Sequence, residues 1–199
     1  MSRIWNTTVS PPPVFNLPVP LKSIERTHSK DTTPYTITAP DTGKDIWVFP
    51  SLLSDENVEK LIEISKQEIT KRKNSNLLIE NREISSILRE ILKDDVMDKI
   101  GLEFTDFVTI LYGSTPISIH IDKQDICPFT HKVLVYLNQL PENTGGTIFY
   151  TEDEREFAVT PNNTGTVVVF NSGLKHASQE FPKEFVKISI GIRARLINQ

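Results

Sequence analysis

Apolar residues recur at helical spacing in two stretches of the first half of the chain. Ser54 is a candidate N-cap with acidic residues in the first turn behind it, and the pattern that follows predicts a helix ending at about Lys71. A polar break at 71–76 separates it from a second amphipathic helix at about 83–93. The apolar faces are Val58, Leu61, Ile62, Ile64 and Ile69 in the first helix and Ile84, Ile87, Leu88, Ile91 and Leu92 in the second.

After Gly101 the pattern changes to short runs rich in Val, Ile, Phe, Tyr and Thr, separated by turn signals. The runs are FTDFVTILY, PISIHI, HKVLVYLNQL, GTIFY, EFAVT, GTVVVF and FVKISIGIRARL, and the turns carry PENTGG, TEDERE, PNNTG and NSG. Many short strands with such punctuation predict a β-sandwich or barrel. We therefore expect a mainly β protein with flanking helices (α+β), in which helical support at 54–94 packs outside a β core at 102–196.

Residues 1–45 are rich in Pro, Thr and Ser and are predicted to be an N-terminal extension, mostly extended or without regular structure. The alternative is a lid or a partner-binding arm. The rest, 46–199, is predicted to be a single domain, long enough to bury a core without disulfides. Two loops, 71–82 and 123–130, are expected at the rim of a substrate site, and the first is expected to act as a lid because it is polar and joins two helices.

Amino-acid composition indicates the cellular compartment and the kind of partner more than it indicates the fold. Hydrophobic residues make up 38% of the chain, charged residues 24%, and the net charge is −4, which fits a globular protein and not a dedicated nucleic-acid binder. The single cysteine, Cys127, excludes a disulfide within the chain and a Cys-based zinc site. No segment has the apolar run of a signal peptide or a membrane span, so we expect a cytoplasmic protein, with the nucleus not excluded and no membrane partner.

Candidate metal chemistry rests on the histidines, which are His28, His120, His131 and His176. His120 lies in ISIHID, whose alternation is typical of a strand and places His120 and Asp122 on one face. Such a His-x-Asp pair alone is more often a surface pair, but His176 supplies a third ligand. Two histidines and one carboxylate leave three positions of an octahedral ion open, which is the arrangement that Fe(II) oxygenases need. We predict that these three residues bind the metal and form the catalytic centre.

Several segments, in a fixed order, resemble the Fe(II)/2-oxoglutarate oxygenases, and most of all the prolyl-4-hydroxylase-type branch. These segments are WVFPSLLSDENVEKLIEIS, LYG, HID, VLVYLNQLPENTGGTIFY, GTVVVFNSGLKHAS and KISIGIR. The resemblance covers about the last three-quarters of the chain. It implies a double-stranded β-helix core (jelly roll, cupin-like) and an enzyme with Fe(II) and 2-oxoglutarate as cofactors, with ascorbate as a candidate reductant.

The resemblance also implies a buried cation for the C5 carboxylate of 2-oxoglutarate. Lys187 is the expected anchor, a single point charge on an otherwise apolar strand. The alternative is an edge-strand lysine that reaches solvent. Further candidates for binding 2-oxoglutarate are Tyr136, Tyr112, Ser189 and Thr147. For the two tyrosines, the other interpretation is core packing with a polar tip.

Arg193 lies six residues after Lys187 and is an alternative anchor if the register of the strand differs. The spacing resembles the Arg-x5-Arg pattern of the alkylated-nucleic-acid demethylases, although the first position here is Lys. The other interpretation of Arg193 and Arg195 is a solvated C-terminal strand. His131, which opens a strand, is expected at the rim of the site, where it can contact substrate.

The function that the resemblance implies is a 2-oxoglutarate-dependent dioxygenase (hydroxylase). The expected reaction couples the decarboxylation of 2-oxoglutarate to hydroxylation of a C–H bond. The expected substrate is a prolyl or other amino-acid side chain in a protein, a peptide or a free amino acid. One alternative is an oxidative demethylase of alkylated nucleic acid, and a second is a non-catalytic metal-binding interaction module. The sequence does not specify the substrate, the stereochemistry or the oligomeric state.

Overall fold

The computed structural model describes residues 17, 22, 32–122 and 129–197. The helices are α1 (Asp55–Arg72), α2 (Arg82–Leu92), which continues through a π-helical turn (Lys93–Met97), and α3 (Asp98–Ile100). The side chain of Ser54 accepts a hydrogen bond from the amide of Asn57 at 3.3 Å, which confirms the predicted N-cap. None of the described helices is both long and apolar enough to cross a bilayer.

The described residues form ten strands: β1 (Tyr35–Thr38), β2 (Asp45–Phe49), β3 (Asn76–Glu80), β4 (Leu102–Gly113), β5 (His131–Tyr136), β6 (Thr147–Tyr150), β7 (Glu156–Thr160), β8 (Val167–Asn171), β9 (Lys175–Ser178) and β10 (Lys187–Leu196). Seven of them form an antiparallel sheet in the order β1-β2-β8-β5-β10-β4-β3. The other three form a second antiparallel sheet in the order β7-β6-β9. The predicted mainly β fold with flanking helices is therefore confirmed.

Alternating side chains of the central strands divide between two apolar cores. On the outer face of the large sheet, residues such as Val135 of β5 and Ile190 of β10 pack in one cluster with the buried faces of α1 and α2. On the inner face, Phe170 of β8 meets Phe149 of the small sheet edge-to-face, with the ring centroids 5.0 Å apart. The inner faces of β5 and β10 therefore point toward the small sheet, and this is where polar residues collect.

Among the strands that the sequence did not predict are β1, β3 and β9. β1 falls within the predicted extension and pairs with β2, since its alternating Thr, Tyr and Ile residues fit an edge strand. Leu17 also packs against the outer core, and the amide of Lys22 donates to the carbonyl of Glu184 at 3.1 Å. The remainder of the predicted extension before residue 32 lies outside the described residues.

The proposed lid at 71–82 is wrong in the main. β3 lies in the middle of that range and pairs with β4, because Leu77 and Ile79 alternate into the outer core. The chain from 76 to 80 is thus held in the large sheet as its edge strand. The other predicted rim loop, 123–130, falls mostly outside the described residues, since only Phe129 and Thr130 belong to them.

Candidate metal centre and cosubstrate pocket

An extended segment beside β9 brings the three predicted metal ligands together. The amide of His120 donates to the carbonyl of His176 and the amide of His176 donates to the carbonyl of His120, both at 2.9 Å. The amide of Asp122 donates to the carbonyl of Ser172 at 3.1 Å. His120 pairs with His176, whereas Asp122, two residues later, bonds to Ser172, four residues earlier, so the pairing does not continue as a regular ladder. The strand predicted at 116–121 is therefore only an isolated bridge. The segment is nevertheless extended enough to place His120 and Asp122 beside His176.

The two imidazoles are held so that one nitrogen of each ring is free. Nδ1 of His120 lies 2.8 Å from the carbonyl oxygen of Ser118, and Nδ1 of His176 lies 2.9 Å from that of Leu174. A carbonyl oxygen only accepts, so each Nδ1 carries the hydrogen and each Nε2 keeps its lone pair. This is the arrangement of histidines that bind metals, in which the second nitrogen donates to a backbone carbonyl. Burial also lowers the pKa of His176 to about 4, which keeps the ring neutral at physiological pH, although Asp122 acts in the opposite direction.

The two carboxylate oxygens of Asp122 have different surroundings. Oδ1 accepts from the ammonium group of Lys132 at 2.8 Å, in an ion pair whose side chains are only 12% and 13% exposed. Oδ2 is buried without a hydrogen-bond partner among the described residues and lies 3.7 Å from Nε2 of His176. Burial raises the pKa of Asp122, but Lys132 acts against it through its charge and its hydrogen bond, and the net pKa lies below its ordinary value, so the carboxyl group stays ionised.

These three side chains fit a divalent cation. One ligand atom from each of His120, Asp122 and His176 lies within 4.8 Å of the others. Two imidazole nitrogens and a buried carboxylate oxygen without a partner among the described residues form a donor set that suits Fe(II) and related ions. An uncompensated buried oxygen is unfavourable unless a donor or a cation reaches it. The structure therefore brings together the three predicted ligands, in a form that a metal would complete.

A cavity opens beside this centre. Polar residues form part of its wall, among them His120, Lys132, Thr147, His176, Lys187 and Ser189. Two of the predicted metal ligands, His120 and His176, thus share this cavity with the predicted anchor, Lys187.

Lys187 is a buried cation in that cavity, only 2% exposed. Its ammonium nitrogen lies 3.4 Å from the carbonyl oxygen of Gly146 and 5.1 Å from the centroid of the Tyr136 ring. Among the described residues no carboxylate lies within ion-pair distance of it, and burial lowers the pKa of Lys187 to about 7. The alternative of an edge lysine that reaches solvent is therefore wrong. A buried amine without a counter-ion favours an anionic ligand, which would stabilise its protonated form.

The remaining residues predicted for 2-oxoglutarate are placed differently from one another. Ser189 and Thr147 line the cavity. The hydroxyl of Tyr136 is already bonded to the hydroxyls of Thr147 at 2.5 Å and Thr160 at 3.0 Å, and burial raises its pKa to about 12. Tyr112 lies on the opposite face of β4, in the outer core, so the structure separates it from the cavity. Of the two tyrosines, only Tyr136 lies next to Lys187.

Two residues that were expected near solvent are buried. Arg193 is 6% exposed, and its guanidinium lies 4.2 Å from the centroid of the Phe129 ring. Lys187 is the first residue of β10, whereas Arg193 lies in the second half of that strand. The solvated interpretation holds only for Arg195, which pairs with Glu103 at 2.6 Å. His131 is 5% exposed and on the outer face of β5, near Trp47, so its expected place at the rim is wrong.

The sequence interpretation missed Lys132 and Gly191. Lys132 alternates with Leu134 and Tyr136 on β5, so the predicted position of Tyr136 already implied that Lys132 faces inward. What the alternation does not show is that the lysine meets Asp122. Gly191 lies on the inner face of β10 with Ser189, and a β-carbon there would come within 2.6 Å of Cε of Lys132.

No protein-family model matches the chain, and no curated protein matches its sequence. Several solved structures match its fold. A prolyl-4-hydroxylase from Pseudomonas putida is 16% identical, with a TM-score of 0.52, over 76% of this chain and 88% of that one. The collagen prolyl hydroxylase of Paramecium bursaria Chlorella virus-1, solved with 2-oxoglutarate, is 19% identical, with a TM-score of 0.51, over 77% and 96%. HygX from Streptomyces hygroscopicus, solved with nickel and 2-oxoglutarate, is 11% identical, with a TM-score of 0.56, over 77% and 83%.

At these identities the comparisons establish the fold. The chain has the fold of the 2-oxoglutarate- and Fe(II)-dependent oxygenases, which confirms the jelly-roll core that the ordered motifs implied. Prolyl hydroxylases are among the proteins that share it.

Proposed function

We propose that this protein is an Fe(II)- and 2-oxoglutarate-dependent dioxygenase that hydroxylates a C–H bond of a prolyl or other amino-acid side chain. One observation carries the proposal. The ligand atoms of His120, Asp122 and His176 converge within 4.8 Å beside a cavity that also contains the buried Lys187, which has no carboxylate partner among the described residues. A metal site and an isolated cation in one cavity match a cosubstrate that chelates a metal at one end and carries a carboxylate at the other.

Each of these groups has a distinct task. His120 and His176 offer Nε2 lone pairs and Asp122 offers Oδ2 to the metal. Lys187 binds the C5 carboxylate, and Ser189, buried two residues further along the same face, adds a hydroxyl donor. Tyr136 supports the ammonium of Lys187 with its ring, while Thr147 lines the cavity beside it. The apolar core around Phe149 and Phe170 closes the inner side of the cavity to water.

The overall reaction balances without any further oxidant. Bound Fe(II) supplies the activation of dioxygen, and ascorbate would serve only to keep the metal reduced. One oxygen atom of dioxygen enters succinate as 2-oxoglutarate loses CO2, and the other enters the new hydroxyl group. The two-electron oxidation of 2-oxoglutarate and the two-electron oxidation of the C–H bond together account for the four electrons that dioxygen accepts.

The choice of substrate rests on the structural neighbours and on the ordered motifs of the sequence. Two of the structural neighbours described above are prolyl hydroxylases, one of them acting on collagen by its name. The ordered motifs of this chain also resemble that branch more than the nucleic-acid demethylases. We therefore place a protein, peptide or free amino acid first as the substrate, and an alkylated nucleic acid second.

The proposed function is tested by loading the protein with Fe(II) and measuring succinate formed from 2-oxoglutarate in the presence of ascorbate. Candidate substrates are a proline-containing peptide library, free amino acids, and single-stranded DNA with N-methylated bases. A gain of one oxygen atom on a peptide or an amino acid supports the proposal. Formaldehyde released from the DNA would favour the demethylase, and an iron-loaded protein without any succinate formation would favour the non-catalytic module.

Binding of 2-oxoglutarate is expected to weaken as the pH rises above 7. Free Lys187 has a pKa of about 7, and only its protonated form attracts a carboxylate. The dissociation constant should therefore increase by up to about 10-fold per pH unit between pH 7 and 9. Titration calorimetry on the Mn(II)-loaded protein measures this slope. Lys187→Arg is the matched control, because its guanidinium stays charged and should flatten the slope; equal slopes in both proteins would exclude Lys187 as the titrating anchor.

A further inference from the structure

Lys132 is the charged residue that contacts the predicted metal ligand Asp122. It enters from β5, on the strand face that also carries Leu134 and Tyr136, and its ammonium nitrogen lies 2.8 Å from Oδ1 of Asp122. Both side chains are nearly nine-tenths buried. An ammonium–carboxylate contact this short and this buried is a strong, directional hydrogen bond.

The contact makes the two oxygens of Asp122 unequal. Oδ1 is occupied by Lys132, while Oδ2 is buried, has no partner among the described residues and faces Nε2 of His176 at 3.7 Å. A carboxylate in this state has one oxygen left for a metal. Without the lysine, both oxygens would be free to bind the same ion, as carboxylates often do.

We propose that Lys132 is a positioning residue that restricts Asp122 to a single oxygen toward the metal. This inference rests on the proposed function. Three protein atoms leave three positions of an octahedral ion open, and a chelating cosubstrate takes two of them. If Asp122 used both oxygens, the protein would supply four atoms, and the last position for a diatomic ligand would be lost. With Asp122 held to one oxygen, Lys132 would keep one position on a bound ion open for dioxygen.

Two neighbours on β10 hold Lys132 in this place. Gly191 lies beneath the lysine, and a β-carbon at this position would come within 2.6 Å of Cε and 3.6 Å of Nζ of Lys132. Arg193 is directly opposite Lys132 in the β5–β10 pairing and is itself buried. Because like charges opposite each other on paired strands repel, Arg193 favours the orientation of Lys132 toward Asp122.

Lys132→Met tests the proposal, since it keeps the length of the side chain and removes the charge. We expect kcat to fall by about 10- to 100-fold at saturating Fe(II) and 2-oxoglutarate, as for other groups behind a metal ligand, with a much smaller change in KM for 2-oxoglutarate. The binding of nitric oxide measures, without turnover, whether the position for a diatomic ligand is open. Its affinity for the Fe(II)–2-oxoglutarate form, followed by electron paramagnetic resonance, should fall by a similar factor, and Lys132→Arg should recover most of it.

Gly191→Ala provides an independent test that keeps the charge. Its added methyl group must displace the end of Lys132, so it should also weaken nitric oxide binding. The effect should disappear in the Lys132→Met background, because the two changes act through one contact. Additive losses, or full nitric oxide affinity in a folded, iron-loaded Lys132→Met protein, would overturn the role of Lys132 and leave the proposed function intact. A wild-type protein that binds neither Fe(II) nor 2-oxoglutarate would instead overturn both.

Discussion

His176→Ala is expected to eliminate both Fe(II) binding and the decarboxylation of 2-oxoglutarate. The neutral Nε2 of this histidine and Oδ2 of Asp122 face each other at 3.7 Å, so the loss of either removes one of the three proposed protein ligands. Loss of only a hydrogen-bond partner behind a ligand lowers metal affinity or activity by about 10- to 100-fold, and we expect the loss of the ligand itself to exceed that. Asp122→Ala should behave in the same way.

Metal binding can be measured without turnover through thermal stability. An ion at 100 times its dissociation constant stabilises a protein by about 2.7 kcal/mol. This corresponds to a rise in Tm of roughly 5–10 °C for a chain of this size. The wild-type protein should show such a rise and His176→Ala should not. His131→Gln is the matched control, because His131 lies on the outer face of β5, and it should keep the rise. A His176→Ala protein that keeps stoichiometric iron and full turnover would contradict the site.

Lys187→Met is expected to abolish 2-oxoglutarate binding and to stabilise the protein without ligand. Truncating one partner of a buried charge pair costs about 2–5 kcal/mol, which corresponds to at least about a 30-fold loss of affinity. The same substitution should stabilise the protein without ligand, because burial holds the pKa of Lys187 near 7, well below its ordinary value. The unfolded chain therefore binds more protons than the folded one, which destabilises the fold at neutral pH. Each 1 kcal/mol recovered by Met should raise Tm by about 2–4 °C.

The pH dependence of stability shows whether Lys187→Met stabilises the protein by removing a buried amine or by packing better. The destabilisation by Lys187 is complete below pH 7, and it diminishes as the pH rises from about 7 toward the pKa of an unfolded lysine. The difference in Tm between the Met variant and the wild type should therefore narrow between pH 7 and pH 10. A constant difference would indicate packing, and a Met variant that binds 2-oxoglutarate normally would move the anchor to another cation, with Arg193 the alternative.

Opposite effects of one residue on stability and on binding are expected for a ligand site. Lys187 is buried, and among the described residues its ammonium contacts a carbonyl oxygen and an aromatic ring but no carboxylate. A fold selected for stability alone would place a hydrophobic side chain there. The same reasoning applies to Oδ2 of Asp122, which is buried without a hydrogen-bond donor among the described residues. Both groups are most simply explained by partners that are not part of the chain.

The sequence by itself determined those parts of the fold and of the candidate site that depend on local periodicity. The N-cap at Ser54 and the helix behind it follow from a side-chain hydrogen bond and an apolar face within one segment. Alternation along FVKISIGIR placed Lys187 and Ser189 on one face, and that face is the inner one. The three ligand types came from a short pattern and one further histidine, because metal chemistry restricts which residues can serve.

Only the tertiary structure decided which faces meet. Tyr112 and Tyr136 are both tyrosines on central strands, yet one faces the helices and the other faces Lys187, since the strand pairing fixes opposite faces for them. A lone five-residue strand such as β3 resembles a polar loop until β4 supplies its hydrogen bonds. The contact of Lys132 with Asp122 depends on two separate chain segments and on the space above Gly191. Such contacts join residues whose separation along the chain carries no signal, so only the folded molecule can show them.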